Sequence, residues 1–278
     1  MSALRATNIQ RGCVYDGQGV RTAIFLKGCT LHCPWCCNPE TISADEEWYI
    51  DDEKCSQNKG FHSKLCLNCE RNKGTISVRQ CPFGVSEKAS NDYSVEELYD
   101  TIIRDKELFM ETCGGVTFSG GEPLLYADEL EPLLIKLTGD GIQVALETTL
   151  VSLKSNLLKV YPYISCFIVD LKLQPQMKLN DTDYIEKITK MLSLINDKPK
   201  IIRVVFVDEM LDVKEHICQQ MKTIGLTDLE ILQCHDLGKK KYEKLDKQHI
   251  SYSANIEKAR SFVEYVNKSN FKAKLLTV

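Results

Sequence analysis

The chain has 278 residues, 43% of them hydrophobic and 27% charged, enough to bury one large core as an ordinary globular protein does. Its formal charge of -4 gives no basic footprint for nucleic acid or an anionic membrane, the N-terminal MSALRATNIQRG has no apolar signal core, and no stretch approaches the roughly 18 apolar residues of a membrane span. A cytoplasmic protein is therefore expected, and its thirteen cysteines point to metal or cluster ligation rather than to a disulfide framework.

Along the chain, short β-branched or apolar runs alternate with amphipathic stretches, the pattern of strands and helices around a parallel sheet. RTAIFL (21–26) reads as a first strand and runs into KGCTLHCPWCCNPE (27–40), where Cys29, Cys33, Cys36 and Cys37 crowd one loop. Residues 46–92 break the rhythm: polar, charged and without a core stripe, they carry Cys55, Cys66, Cys69 and Cys81 and read as an inserted module that needs a metal or cluster to fold. A helix over 94–111 opens on Ser94 with Glu97 three positions later, a capping box. Strands follow at 115–119, 143–147, 166–171, 201–207 and 230–234, and helices at 127–138, 152–160, 181–196, 213–224 and 256–269. These six β/α-like units are two short of a full barrel, and pattern alone fits a partial barrel or an open doubly wound sheet equally well. Residues 1–45 and 93–278 form the main domain on this reading, and 46–92 the insert. Cys13, Cys113, Cys166, Cys218 and Cys234 are scattered and read as small buried hydrophobes, and the Lys239–Lys241 run as a solvated surface. His62, His216 and His249 have no motif around them.

Three thiolates at Cys29, Cys33 and Cys36 suit a 4Fe-4S cluster that keeps one iron open for a small molecule. A zinc site completed by His32, Cys37 or a distant residue is the alternative. In the insert, Cys66 and Cys69 form a CxxC pair, Cys81 precedes Pro82, and Cys55 lies eleven residues before Cys66; four thiolates suffice for one cluster or one zinc. In GGVTFSGGEPLLY (114–126), Gly120 and Gly121 let backbone groups approach a ligand, and Glu122 offers an acceptor for an ammonium or caps a turn. ETT (147–149) and DLK (170–172) close two strands at the carboxyl ends where ligands bind such sheets, with an ion pair as the plainer account of Asp170 and Lys172.

CxxxCxxC followed by Asn38 resembles the signature of the radical S-adenosylmethionine superfamily, and NIQRGCVYDGQGVRTAIFLKGC is similar to the N-terminus of the activating enzymes for glycyl radical enzymes, the pyruvate formate-lyase activase group. The resemblance implies a partial (β/α)6 TIM-like barrel with a small cysteine-rich ferredoxin-like insert. It implies a 4Fe-4S cluster on Cys29, Cys33 and Cys36, and S-adenosylmethionine held near Asn38, Gly120, Gly121, Glu122, Glu147, Thr148, Arg203 and His235. Asp170 and Lys172 match the family's Asp-x-Lys motif beside the cofactor and the partner's glycyl loop. The family's glycine after Thr148 is Leu150 here, the Pro-Gly turn after Arg203 is absent, and Asp16–Gly17 fall in the family's DGxG stretch, otherwise a simple turn. Family inserts commonly carry eight cysteines for two clusters. The four here, Cys55, Cys66, Cys69 and Cys81, imply one auxiliary cluster, with zinc still open.

The implied activity is reductive cleavage of S-adenosylmethionine at the cluster and removal of hydrogen from a backbone glycine of a partner glycyl radical enzyme. A flavodoxin or ferredoxin would donate electrons, under anaerobic conditions. The alternatives are a radical S-adenosylmethionine enzyme modifying another peptide or a small molecule, and a non-enzymatic zinc or iron-sulfur protein.

Overall fold

The computed structural model of the protein describes residues 3–60, 63–177 and 179–277, the side chain of Lys59 excepted, and His62 lies outside the described residues. The strands are β1 (Leu4–Cys13), β2 (Arg21–Leu26), β3 (Trp48–Ile50), β4 (Ser86–Lys88), β5 (Asn91–Tyr93), β6 (Gly115–Gly120), β7 (Gln143–Thr148), β8 (Cys166–Leu171), β9 (Lys200–Phe206), β10 (Asp228–Gln233) and β11 (Lys272–Leu276). Nine of them form one sheet in the order β11-β10-β9-β8-β7-β6-β2-β1-β5, and β3 pairs with β4 in a separate antiparallel ladder. From β2 through β6 to β11 every pairing is parallel, while β1 is antiparallel to both β2 and β5.

The parallel strands follow one another in space as they do in the chain. A doubly wound sheet reverses its strand order at a switch point, and this sheet has no reversal. The fold is therefore the partial barrel. Its strands are buried on both faces, as in Val144–Leu146 and Phe167–Val169, which is why they read as continuous apolar runs.

The helices are α1 (Lys64–Leu67), α2 (Val95–Ile103), α3 (Lys106–Thr112), α4 (Ala127–Gly139), α5 (Lys154–Val160), α6 (Asp181–Ser193), α7 (Lys214–Ile224), α8 (Lys239–Lys244) and α9 (Ile256–Lys268). Leu130, Leu133, Leu134 and Leu137 of α4 are fully buried at helical spacing, and they pack in one core with Val144 and Leu146 of β7.

Three features differ from the sequence expectation. The helix expected over 94–111 is two helices, broken at Asp105, whose backbone leaves the helical region (φ -100°, ψ 7°) and whose carboxylate accepts hydrogen bonds from Arg11 of β1 and Thr22 of β2 (2.7 Å). The polar strand β1 and the seventh parallel strand β11 add to the six expected; β1 escapes a search for apolar runs because much of it is solvated. The lysine run at 239–241 opens α8; Lys239 and Lys240 are exposed as expected, while Lys241, its side chain 39% exposed, is in addition ion-paired with Glu40.

Candidate active site at the carboxyl ends of the strands

A cavity of about 240 Å³ opens at the carboxyl ends of the parallel strands, where a β/α barrel binds its ligands. The loop after β2 supplies Cys29, Cys33, Cys36, Cys37 and Asn38 to its wall. The ends of β6, β7, β8 and β10 supply Ser119 to Gly121, Glu147 to Thr149, Asp170 with Lys172, and Gln233 to His235. Backbone bonds fix the loop at its base, from Gly28 N–H to the Thr41 carbonyl (2.7 Å) and from Cys29 N–H to the Ile42 carbonyl (2.9 Å). Within it, Cys36 N–H donates to the Cys33 carbonyl at 3.0 Å. Phe25, Leu31, Trp35, Val205 and Leu232 form the apolar remainder of the wall.

Burial pushes the thiols of Cys29 and Cys33 up, and that of Cys36 up to about 12, and a bound cation would offset that penalty. The donor set fits a 4Fe-4S cluster: three thiols on one short loop share one wall of the cavity. Among the described residues no three Cys, His, Asp or Glu side chains converge on a single ion, and a cubane asks for no such convergence, since each thiolate takes its own iron.

Asp170 and Lys172 form an ion pair at the mouth, as the DLK motif implied. Burial works against the Lys172 charge, but Asp170 and then Cys33 outweigh it and hold that ammonium above its usual value. Lys172 N–H donates to the Tyr184 hydroxyl at 2.8 Å, which fixes the strand end. The Asp170 Oδ1 atom is buried with no partner among the described residues, and an enclosed carboxylate oxygen of this kind calls for a donor from a bound molecule.

Two expected cofactor contacts stand back from the wall. Glu122 is wholly buried, and its carboxylate accepts from Thr148 Oγ1 (2.6 Å), Thr149 N (3.0 Å), Thr149 Oγ1 (2.7 Å) and Leu124 N (3.2 Å). It caps the 3-10 turn Pro123–Tyr126 and ties β6 to β7. Arg203 bonds Glu147 (3.2 Å), Glu230 (2.9 Å) and the Tyr15 carbonyl, so it reaches the cavity only through Glu147, whose other oxygen accepts from Ser119 at 2.5 Å. The glycines also have a steric role within the sheet. Gly120 has φ +102°, and a Cβ on Gly121 would lie 1.9 Å from the Gly28 carbonyl oxygen, so both let β6 close on β2 and the loop after it. The Asp16 carbonyl accepts from Thr117 at 2.6 Å beneath the site.

The structure adds residues that the sequence reading missed. Ser119, Thr149 and Gln233 line the cavity, and Lys241 bonds Asn38 Oδ1 at 2.7 Å. Ser119 could have been found as the residue before the glycine pair, whereas Lys241, 203 positions from its partner, falls in ILQCHDLGKKKYEKL (231–245), whose His-x-x-Gly-x-x-Lys-Tyr spacing resembles the family's but does not tell which residue the lysine meets.

In the segment between β2 and β6, Cys55, Cys66, Cys69 and Cys81 all line a second cavity, of about 230 Å³. Hydroxyl groups of Ser56 and Ser63, each 3.2 Å from the Cys66 sulfur, bring that thiol down to about 7. Among the described residues no helix is long and apolar enough to cross a membrane.

A family model described as a 4Fe-4S single cluster domain matches residues 15–183. The chain is 29% identical over 295 residues to the trans-4-hydroxy-L-proline dehydratase activating enzyme of Clostridioides difficile, covering 96% of this chain and 97% of that protein. It is 30% identical over 292 residues to the (2S)-3-sulfopropanediol dehydratase activating enzyme of Klebsiella oxytoca, covering 93% and 90%. Among solved structures, a radical SAM methyltransferase from Sphaerobacter thermophilus superposes with a TM-score of 0.54 at 9% identity, covering 92% of this chain and 66% of that one, a likeness of fold alone.

Proposed function

The chain belongs to the 4Fe-4S single cluster domain family and, within it, to the radical S-adenosylmethionine activating enzymes of glycyl radical enzymes, and from that premise we propose how its own residues divide the work. The cofactors are a 4Fe-4S cluster and S-adenosylmethionine. When bound, the reduced cluster supplies the electron that splits S-adenosylmethionine into methionine and a 5'-deoxyadenosyl radical, which takes a hydrogen atom from a backbone glycine of the partner.

Cys29, Cys33 and Cys36 hold the cluster. The observation that carries this reading is that these three thiols share one cavity with the Asp170–Lys172 pair and its unpartnered Oδ1 atom. Asp170 accepts from the bound cofactor or the glycyl loop, and Lys172, paired with that carboxylate, orients it. Glu147, held by Ser119 and Arg203, presents a fixed acceptor, and Gly120, Gly121, Thr148, Asn38 and His235 supply the remaining contacts. Glu122 acts through the turn it caps. The apolar wall from Phe25 to Leu232 excludes water from the reacting atoms.

Residues 46–92 form an auxiliary module in which Cys55, Cys66, Cys69 and Cys81 hold a second 4Fe-4S cluster. Four cysteines on one cavity, one of them already ionising near neutrality, support that assignment. The partner is a glycyl radical enzyme, and the dehydratases named in the two relatives make a dehydratase of this type the first to test. A flavodoxin or ferredoxin in an anaerobic cytoplasm supplies the electrons, a setting that suits thirteen unpaired cysteines.

The test is activation itself. The reconstituted protein, S-adenosylmethionine and dithionite are incubated with a panel of glycyl radical enzymes. A glycyl radical signal in the electron paramagnetic resonance spectrum of one of them, followed by chain cleavage on exposure to air, is expected. Cleavage of S-adenosylmethionine without a radical on any partner, but with modification of another peptide or small molecule, would contradict it.

A further inference from the structure

A helix more than 200 residues downstream grips the segment that carries the last cluster cysteine. Gly238, Lys241 and Tyr242 lie on one face of α8 and its first turn, at i, i+3 and i+4. A Cβ on Gly238 would lie 2.9 Å from Cys37 Cα, so the chains touch backbone to backbone. The Tyr242 hydroxyl donates to the Cys36 carbonyl at 3.0 Å. The Lys241 ammonium donates to Asn38 Oδ1 at 2.7 Å and to the buried Glu40 carboxylate at 2.6 Å.

Asn38 itself begins the 3-10 turn Pro39–Thr41, and its carbonyl accepts from Thr41 N (2.9 Å) and Thr41 Oγ1 (2.8 Å). The turn is further held by Lys27, fully buried, whose ammonium donates to the Glu40 carbonyl and to Glu47, each at 2.6 Å. Lys247 donates to the Pro39 carbonyl at 2.8 Å. Groups from elsewhere in the chain thus take the Cys36, Pro39 and Glu40 carbonyls, Asn38 Oδ1 and Glu40 Oε1, and Lys241 alone bridges two of these residues, Asn38 and Glu40.

We propose that Lys241 is a positioning residue for the cluster: by bonding Asn38 and Glu40 together it fixes the exit of the cysteine loop, and with it the Cys36 sulfur, in the geometry that retains the metal. Groups that orient metal ligands from behind are worth about ten- to a hundredfold in metal retention. Lys244, whose ammonium lies 2.8 Å from Asp51, also clasps α8 to the following segment but touches nothing between Cys29 and Glu40, so it separates loop positioning from general anchoring of the helix.

The inference rests on the cluster assignment above, and the experiment keeps the two apart. Wild type, Lys241→Met, Lys241→Arg and Lys244→Met are reconstituted anaerobically, and loss of the cluster whose paramagnetic spectrum in the reduced protein responds to S-adenosylmethionine is followed after addition of a ferrous chelator, which separates it from the cluster of the insert. Lys241→Met is expected to lose its cluster about tenfold faster and to show an altered spectrum. Lys241→Arg should recover most of the lifetime, and Lys244→Met should match wild type, with apo melting temperatures similar throughout. Equal rates in wild type and Lys241→Met, or equal acceleration in Lys241→Met and Lys244→Met, would overturn the positioning role. A wild type that takes up no cluster would overturn the cluster assignment as well.

Discussion

Asp170 concentrates the chemistry of the site in one side chain. One carboxylate oxygen is paired with Lys172 and the other is buried with no donor among the described residues, so a bound molecule that supplies an N–H or O–H there gains a charge-assisted hydrogen bond. Asp170→Asn keeps the shape and removes the charge. Its affinity for S-adenosylmethionine, measured by equilibrium dialysis on reconstituted protein, is expected to fall about tenfold or more, since bonds to charged groups are worth about 1.5–3 kcal/mol; unchanged affinity would contradict the role. Residues 170 and 172 were legible in the sequence because a charged D-x-K closing an apolar strand is conspicuous. Glu122 was legible as an acid at a strand end that takes an ammonium or caps a turn; the fold shows the cap and brings Thr148 and Thr149 around it, partners that sequence does not reveal. Leu150, which replaces the family's glycine, adopts φ 58° with its side chain fully buried, so the turn keeps a left-handed shape at the cost of some strain.

Elements meet through two contacts that sequence patterns do not show, one at this site and one at the opposite end of the sheet. The first is the packing of β6 on β2 and the loop after it. Gly121→Ala places a methyl group 1.9 Å from the Gly28 carbonyl oxygen and 2.8 Å from that of Thr41, against backbone on both sides. A loss of more than about 4 kcal/mol in denaturant unfolding is expected, with failure to fold as its limit; a near-neutral change would show that the glycine serves only ligand approach. The second is the joint at Asp105 between α2 and α3. Arg11 is the largest influence holding this carboxyl below its ordinary value, and Thr22 adds to it, against burial. A depressed value in the folded state means that the stabilisation is fully present above the unfolded value of about 3.9 and is lost as pH falls through the folded one. Thr22→Val is therefore expected to be less stable than wild type at pH 7, by about 1.5–3 kcal/mol, with the gap shrinking in acid. A gap of the same size at acid and neutral pH would count against the charge as its source. Neither contact leaves a periodicity, which is why a single helix was expected across Asp105.

At the scale of the whole molecule, six parallel strands were legible because strands covered on both faces read as unbroken apolar runs. The choice of a partial barrel over a doubly wound sheet was legible only through the family resemblance and not in the strand pattern, because it depends on strand order in space. The half-solvated β1, the late strand β11 and the lysine helix α8 fell outside apolar patterns, and α8 turns out to clasp the cysteine loop from the far end of the chain. The architecture thus gathers strand ends, loop and helix around one open three-cysteine site. The central claim is that this site cleaves S-adenosylmethionine reductively, and the most direct measurement is 5'-deoxyadenosine formed by anaerobically reconstituted protein with S-adenosylmethionine and dithionite, with iron counted in the same sample. Wild type should form the product while holding about eight irons per chain, and Cys33→Ala should form none while keeping about four on the insert. No product from an iron-loaded wild type, or equal product from Cys33→Ala, would contradict the account.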